Sequence, residues 1–248
     1  MAIRRTTRSA IKTLKIDGRD VGAREDETIL DLCRQNDIWL PTLCAMEGLS
    51  TLGACRLCMV EVKGWNRLVP ACTTYADEGM EVTTNSERLQ SYRRMIIELL
   101  FSEGNHVCAI CVANGDCELQ TLAQRLGMDH PRFANLHLNH TVDMTHERFV
   151  NDQSRCVLCT RCLRVCDEIE GAHTWDIQGR GINARMISDM ATPWGDSNTC
   201  TTCGKCVNVC PTGALAEKGH TIGELRKRHG FISYLTRMRG ARRDDNSR

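Results

Sequence analysis

The sequence predicts an α+β protein made of small cysteine-rich units, and three observations lead to this fold class. The first part of the chain alternates short strand-like and helical patterns. The 248 residues include 16 cysteines but only four Phe, four Trp and three Tyr, too few aromatic side chains for a large conventional core. The cysteines fall into sets whose spacing is typical of metal ligands. Metal clusters are therefore expected to replace part of the core.

Residues 1–86 are predicted to form the first domain, a small sheet packed on one helix. Thr13–Ala23 alternates apolar and polar residues around Asp17-Gly18, a dipeptide that suits a tight hairpin turn. Residues 25–36 carry apolar side chains at helical spacing, behind acidic residues that favour a helix N-terminus. Residues 59–62 have the pattern of a further strand.

Four cysteines of this domain predict a [2Fe-2S] cluster. Their spacing is C-x10-C-x2-C-x13-C, and such a cluster takes two thiolates on each iron. Gly53 and Gly64 would let the backbone approach the inorganic sulfides. Zinc is the alternative, although the long irregular first loop does not have the shape of a zinc knuckle. The predicted ligands are Cys44, Cys55, Cys58 and Cys72.

Residues 87–126 are predicted to form a small helical domain that holds a [4Fe-4S] cluster. One helix, capped by Asn85 or Ser86, should run to about Phe101, and a second from Glu118 to about Leu126. Between them, one histidine and three cysteines supply four ligands. Imidazole is neutral where thiolate is anionic, so the potential of this cluster should be raised. The predicted ligands are His106, Cys108, Cys111 and Cys117.

Residues 127–150 are interpreted as a connector, and residues 151–220 as a two-cluster [4Fe-4S] domain. Two runs there read C-x2-C-x2-C-x3-C, and the second is followed by Pro211. At this spacing three thiolates bind one cluster and the fourth reaches the neighbouring cluster. The runs are therefore paired crosswise. One cluster is assigned to Cys156, Cys159, Cys162 and Cys210, and the other to Cys166, Cys200, Cys203 and Cys206.

A β-hairpin insertion is predicted between the two runs. Thr174–Gln178 and Asn183–Ser188 look like strands on either side of Gly179-Arg180-Gly181. These glycines also satisfy G-x-G-x-x-A, but a dinucleotide site needs a strand-turn-helix unit, so binding of NAD or FMN by this chain is not expected. Residues 221–248 form a basic tail, either solvated or docked on an acidic partner.

Composition narrows the classes of function. A formal net charge of +1 gives no overall field that would attract nucleic acid. No apolar run approaches the roughly 20 residues that span a bilayer, and no secretory signal is visible, so a cytoplasmic location is expected. Every cysteine except Cys33 is assigned to a cluster, and Cys33 is expected to be a buried small hydrophobe. With no visible nucleophile or acid–base pair, and so no catalytic residue assigned, the chain is expected to carry electrons.

The cysteine motifs resemble those of a known family. The first domain looks like a plant-type ferredoxin, a β-grasp fold. The order of cluster sites resembles the N-terminal part of the large iron-sulfur subunit of complex I and of iron-iron hydrogenases. It looks still more like the small diaphorase iron-sulfur subunit (gamma, Hox type) of bidirectional NAD-reducing nickel-iron hydrogenases. The motifs are PTLC (41–44), ACRLCMVEV (54–62), FSEGNHVCAICVANGDCELQ (101–120), RCVLCTRCLRVCDEIEGAH (155–173) and CTTCGKCVNVCPTGAL (200–215).

This resemblance implies a function and a set of partners. The chain would relay single electrons between an FMN- and NAD-binding diaphorase subunit and the small and large subunits of a nickel-iron hydrogenase, with a further small [2Fe-2S] subunit in the same assembly. It implies an oxidoreductase complex in which this chain has no substrate site of its own. The alternatives are the same relay in an NAD-linked formate dehydrogenase or a complex I-like assembly, a free-standing ferredoxin carrier, and a zinc-bound scaffold.

Overall fold

A computed structural model describes residues 11–136, 138, 140–221 and 230–245. The chain forms two compact units, the first running to Thr42 and resuming over Thr51–Arg93, the second comprising Leu43–Ser50 and the chain from Arg94 onward. Helices and sheets are mixed, as in an α+β protein. Among the described residues, no helix has the length and apolar character needed to cross a membrane. The predicted boundaries near 86, 126, 150 and 220 stay a prediction.

The first unit is built on a five-stranded sheet with the order β2-β1-β5-β3-β4. The predicted hairpin is confirmed: β1 and β2 are antiparallel, and Asp17 (φ 49°) and Gly18 (φ 79°) adopt the positive φ angles of a tight turn. β1 also pairs in parallel with β5, which is antiparallel to β3. The strands are β1 (Lys12–Ile16), β2 (Arg19–Ala23), β3 (Met59–Val62), β4 (Val69–Pro70) and β5 (Glu81–Thr83).

Helix α1 (Ile29–Gln35) begins later than the sequence pattern indicates. Thr28 is its N-cap: the Thr28 hydroxyl accepts from the Asp31 N–H, and the Asp31 carboxylate accepts from the Thr28 N–H. This reciprocal pair satisfies two backbone N–H groups that have no carbonyl partner within the helix, so it fixes the start of α1. Cys33 is fully buried on this helix, as predicted.

Helix α2 (Glu87–Glu103) starts in the first unit and continues into the second. The Leu89 N–H donates to the Ser86 hydroxyl, which confirms Ser86 as a cap. Apolar residues at helical spacing in α2, among them Leu89 and Leu99, predict one buried stripe, but Leu99 is 46% exposed, so the prediction is wrong there. The buried face instead includes Arg93, whose guanidinium donates to the carbonyl oxygens of Leu57, Met59 and Thr84.

The second unit contains a three-stranded sheet in the order β10-β7-β6, with helix α3 (Glu118–Arg125) close to its predicted bounds. Strand β7 (Phe149–Asp152) is antiparallel to both β6 (Val142–Asp143) and β10 (Leu215–Glu217). Because β7 precedes the first cysteine run and β10 follows the second, their pairing brings the start of one run to the end of the other. The Asp152 N–H donates to the Ala214 carbonyl oxygen at 2.7 Å.

One short helix carries the third cysteine of each run. Helix α4 (Arg161–Arg164) continues into a π-helical segment, Val165–Glu170, and α5 is Lys205–Val209. The predicted insertion is confirmed as an antiparallel hairpin of β8 (Trp175–Gln178) and β9 (Arg185–Ser188). Gly179 and Gly181 lie in the turn of this hairpin. A core of cysteines, aliphatic side chains and buried tryptophans fills the unit.

The basic C-terminal region is more than a solvated tail where the structure describes it. Helix α6 (Gly230–Asp245) buries Ile232 in the core of the second unit. The Thr236 hydroxyl donates to the Gly48 carbonyl oxygen at 3.0 Å, and a Cβ on Gly48 would lie 2.9 Å from the same hydroxyl. The basic residues Arg226, Lys227 and Arg228 lie outside the described residues, as do residues 1–10.

Candidate metal centres

Three of the four cysteines predicted to bind a [2Fe-2S] cluster belong to the first unit. Cys58 directly precedes β3 and Cys72 closely follows β4, and the Ala71 N–H donates to the Cys58 carbonyl, so both cysteines lie at the same end of this hairpin. Cys55 lies in the loop before it, where Gly53 approaches Thr73. Cys44 is buried and belongs to the segment grouped with the second unit.

The predicted histidine and three cysteines line one cavity of the second unit. It encloses about 360 Å³ of space, part of it open to solvent. Burial lowers the pKa of His106, an effect opposed in part by a hydrogen bond to the backbone of Leu100. The buried His106 Nε2 makes no hydrogen bond within the described residues. The residues that face the cavity include His106, Cys108, Cys111 and Cys117.

This arrangement fits a cluster ligand. A histidine ligand must be neutral and usually anchors its other ring nitrogen on a backbone carbonyl or carboxylate. The ring of His106 has the first feature, because burial lowers its pKa and so favours the neutral form. Gly104 makes room for the ring, because a Cβ there would lie 2.5 Å from Nε2.

A second cavity, with about 430 Å³ of space that is partly open to solvent, collects cysteines from both runs. Burial raises the pKa of Cys156 and of Cys159 to about 12. An uncharged thiol is the stable form in such surroundings unless a cation compensates the thiolate, and iron would supply that charge. The cysteines that line the cavity are Cys156, Cys159, Cys162 and Cys210.

The other four cysteines of the two runs are Cys206 and three neighbours, Cys166, Cys200 and Cys203. Burial raises the pKa of the Cys206 thiol and a hydrogen bond with the Trp175 side chain lowers it, while the nearby Cys203, Cys166 and Cys200 raise it further. Cys203 is exposed, whereas Cys206 is buried on α5. The two groups of four thiols adjoin, since Cys162 and Cys206 lie in the same buried core and helix α4 contacts α5.

The backbone of the two runs repeats an unusual conformation. The residues before and after the second cysteine have positive φ in both, at Leu158 (49°) and Thr160 (62°) in the first and at Thr202 (58°) and Gly204 (68°) in the second. Non-glycine residues rarely adopt such angles, which cluster at functional sites. Alternation of right- and left-handed residues turns successive N–H groups toward one point, where they bind anions such as cluster sulfurs. The Leu158 N–H lies 3.4 Å from Cys156 Sγ.

Buried arginines connect the centres of the second unit. Arg161, between Cys159 and Cys162, forms a two-pronged ion pair with Glu118 at 2.6 and 2.9 Å. Arg164 donates to the carbonyl oxygens of Cys44 (2.6 Å) and Cys159 (3.2 Å), and to that of Ser50. Sequence reasoning missed both arginines. Their position inside a run of buried cysteines was the available signal, because charged side chains in such a place are almost always paired.

The first two centres of the second unit share a wall. Thr212, which follows Pro211, lines both the cavity of His106 and the cavity of Cys156. A Cβ on Gly213 would lie 3.0 Å from Cys111 Sγ, so glycine lets this wall approach the sulfur closely.

In the described part of the chain, no three His, Cys, Asp or Glu side chains converge as they would on a single metal ion.

Four protein-family models match the chain. A 2Fe-2S iron-sulfur cluster binding domain matches residues 11–87, and the NADH-ubiquinone oxidoreductase-G iron-sulfur binding region matches 93–132. The ferredoxin-like domain of NADH-quinone oxidoreductase subunit 3 matches 148–216, and a 4Fe-4S dicluster domain matches 192–242. The chain therefore contains one 2Fe-2S domain and several 4Fe-4S regions.

Relatives of known name give a consistent family. NADP-reducing hydrogenase subunit HndD of Solidesulfovibrio fructosivorans is 37% identical over 83% of this chain, which spans only 36% of that protein. A chain of a solved NAD+-reducing [NiFe]-hydrogenase in the H2-reduced state is 34% identical with a TM-score of 0.79, over 85% of this chain and 88% of that one. The NAD-reducing hydrogenase HoxS subunit gamma of Cupriavidus necator is 31% identical over 83% of this chain and 86% of its own length. The chain thus belongs to the family of iron-sulfur subunits that includes HoxS subunit gamma.

Proposed function

We propose that this chain relays single electrons between an FMN- and NAD-binding diaphorase subunit and a nickel-iron hydrogenase, in reversible H2 oxidation coupled to NAD+ reduction. The observation that carries the proposal is the succession of adjoining centres in the second unit. The His106 cavity shares Thr212 with the Cys156 cavity, and the Cys156 group adjoins the Cys206 group. Electron tunnelling weakens steeply with distance, so neighbouring centres can form a conducting path.

The proposed cofactors are one [2Fe-2S] cluster and three [4Fe-4S] clusters, which would accept and release single electrons. The protein residues would hold the thiolates in place and turn backbone N–H groups toward the sulfurs, and the buried cysteines among them would be shielded from water. The proposed ligand sets are Cys44, Cys55, Cys58 and Cys72; His106, Cys108, Cys111 and Cys117; Cys156, Cys159, Cys162 and Cys210; and Cys166, Cys200, Cys203 and Cys206.

The first test is the iron and acid-labile sulfide content of anaerobically purified protein. The ligand sets predict about 14 irons per chain, with EPR signals of one [2Fe-2S] and three [4Fe-4S] clusters on graded reduction. Zinc in place of iron, or iron for only one or two clusters, would overturn the ligand sets. Copurification with flavin and hydrogenase subunits tests the partners, since a free-standing carrier would purify alone.

Replacing His106 with alanine is predicted to perturb one cluster only. The variant loses the buried Nε2 of a ring that lines the same cavity as Cys108, Cys111 and Cys117, so the EPR signal and potential of this cluster should change while the other three stay as in the wild type. His130→Ala is the matched control, because the His130 side chain is 71% exposed. Unaltered iron content and an unaltered signal in His106→Ala would remove His106 from the ligands.

A further inference from the structure

Two tryptophans lie against the group of cysteines around Cys206. The Trp194 side chain is 1% exposed, and its Nε1–H donates to Cys200 Sγ at 3.3 Å. The Trp175 side chain is also buried, and its hydrogen bonding to Cys206 lowers the pKa of that thiol against the larger rise that burial causes. A third sulfur of this group, Cys166 Sγ, lies 3.4 Å from the Thr174 N–H. Cys200 and Cys166 therefore have N–H donors of buried residues within 3.4 Å of their sulfurs, and hydrogen bonding by the neighbouring Trp175 opposes the burial that raises the pKa of Cys206.

Packing holds the two indoles in these positions. Trp194 stacks on Phe149 with ring centroids 5.4 Å apart, and meets Trp175 edge-on at 4.8 Å. The Trp194 backbone N–H donates to the Asp143 carboxylate at 2.7 Å. A buried indole N–H normally needs an acceptor, and the sulfur of Cys200 fills this role for Trp194.

The neighbouring group of cysteines has different surroundings. The donor to Cys156 Sγ is the backbone N–H of Leu158, and Cys162 Sγ lies 2.8 Å from the Met186 thioether, a group that has no proton to donate. The other two of the four tryptophans of the sequence, Trp39 and Trp65, belong to the first unit. The Thr212 hydroxyl lies 3.7 Å from Cys210 Sγ but donates to the Arg155 carbonyl oxygen. Within the described residues, the two groups therefore differ in the indole N–H donor, which faces the group around Cys206.

We propose that the indole N–H groups of Trp194 and Trp175 raise the reduction potential of the [4Fe-4S] cluster assigned to Cys166, Cys200, Cys203 and Cys206. The proposal rests on the ligand sets given above. An added electron increases the negative charge on the ligand sulfurs, so a fixed N–H donor stabilises the reduced form more than the oxidised form. Such tuning would favour transfer of one electron to this cluster from the one proposed for the Cys156 set, with no proton transferred.

Trp194→Phe tests the proposal because it keeps a ring and removes the N–H donor. In anaerobic redox titrations followed by EPR, the affinity of this one cluster for an electron should fall about tenfold, which is about 59 mV for one electron. The other clusters should keep their potentials, and Trp175→Phe should lower the same potential. The control is Trp65→Phe, because Trp65 is 43% exposed and lies in the other unit. Wild-type iron content with all potentials unchanged in both variants would overturn the proposal.

A measurement on the wild-type protein covers the case in which Trp194→Phe loses its cluster. Protein expressed with 15N-indole-labelled tryptophan should show 15N couplings in the pulsed ENDOR spectrum of this cluster and not in those of the other three. Their absence would overturn the proposal. The total of about 14 irons and the four EPR signals in the same samples test the relay itself, so failure of the tuning and failure of the relay give different results.

Discussion

Cys206→Ser is expected to remove one [4Fe-4S] cluster, or convert it to a form with less iron, and to slow hydrogen-linked NAD reduction by the proposed complex. Cys206 is buried on α5, and burial and the neighbouring Cys166, Cys200 and Cys203 raise the pKa of its thiol. Because the position is buried, groups on the protein surface cannot easily replace its thiolate. A serine oxygen is a harder donor than a thiolate and its hydroxyl loses its proton far less readily than a thiol does, whereas iron-sulfur clusters select soft thiolates. Flavin-dependent oxidation of NADH by an artificial dye should survive, because that reaction would not pass through this centre.

Cys33→Ala is the matched control for Cys206→Ser. Cys33 is buried, as Cys206 is, and burial raises the pKa of its thiol to about 12, yet it belongs to none of the four sets. The control should keep all four EPR signals and the full iron content. If Cys206→Ser lost the dye reaction and the hydrogen-linked reaction alike, the residue would be needed for assembly, and its proposed role as a ligand of a relay cluster would lose its support.

Local chemistry determined the elements that the sequence could predict. Asp17-Gly18 specifies a tight turn by itself, and the strands on either side of Gly179 alternate as hairpin strands do. The start of α1 was less predictable. The acidic residues favour a helix start near residue 25, but the reciprocal Thr28–Asp31 cap places the start after Thr28. Leu99 has the right residue type for a buried stripe, but α2 turns Arg93 inward to satisfy three carbonyl oxygens, which periodicity alone does not reveal.

The candidate centres divide in the same way. The spacing of each cysteine run carries enough information to predict that Cys210 returns to Cys156, and the two line one cavity. Contacts between residues distant in sequence were not predictable. Arg164 meets the Cys44 carbonyl 120 residues away, and Trp194 becomes a donor only because the hairpin insertion and β7 pack together around it. No local pattern signals that Leu43–Ser50 groups with the second unit.

Glu118→Gln is expected to destabilise the second unit by about 3 kcal/mol, because it leaves the buried guanidinium of Arg161 without a carboxylate. The Arg161 side chain is 4% exposed and that of Glu118 is 32% exposed, so the estimate is at the low end for a broken buried pair. Burial lowers the pKa of Arg161, but hydrogen bonds and the charge of Glu118 outweigh it and raise the pKa overall, so the cation persists.

The ion pair has a definite structural task. Glu118 begins α3, next to Cys117, and Arg161 stands between two cysteines of the first run, so the pair fixes the His106 centre relative to the Cys156 centre. The readout is the urea concentration at which half of the visible cluster absorbance is lost under anaerobic conditions, which should fall clearly in Glu118→Gln.

The matched control is Glu217→Gln, which removes the carboxylate of the Arg148–Glu217 pair, where the arginine side chain is 53% exposed. Solvent screens such a pair, so its loss should cost less than about 1 kcal/mol. Equal urea midpoints in the two variants would contradict the argument. In that case the Glu118 N–H bond to the Pro211 carbonyl (2.9 Å), which both variants keep, would suffice to hold α3 beside the second run.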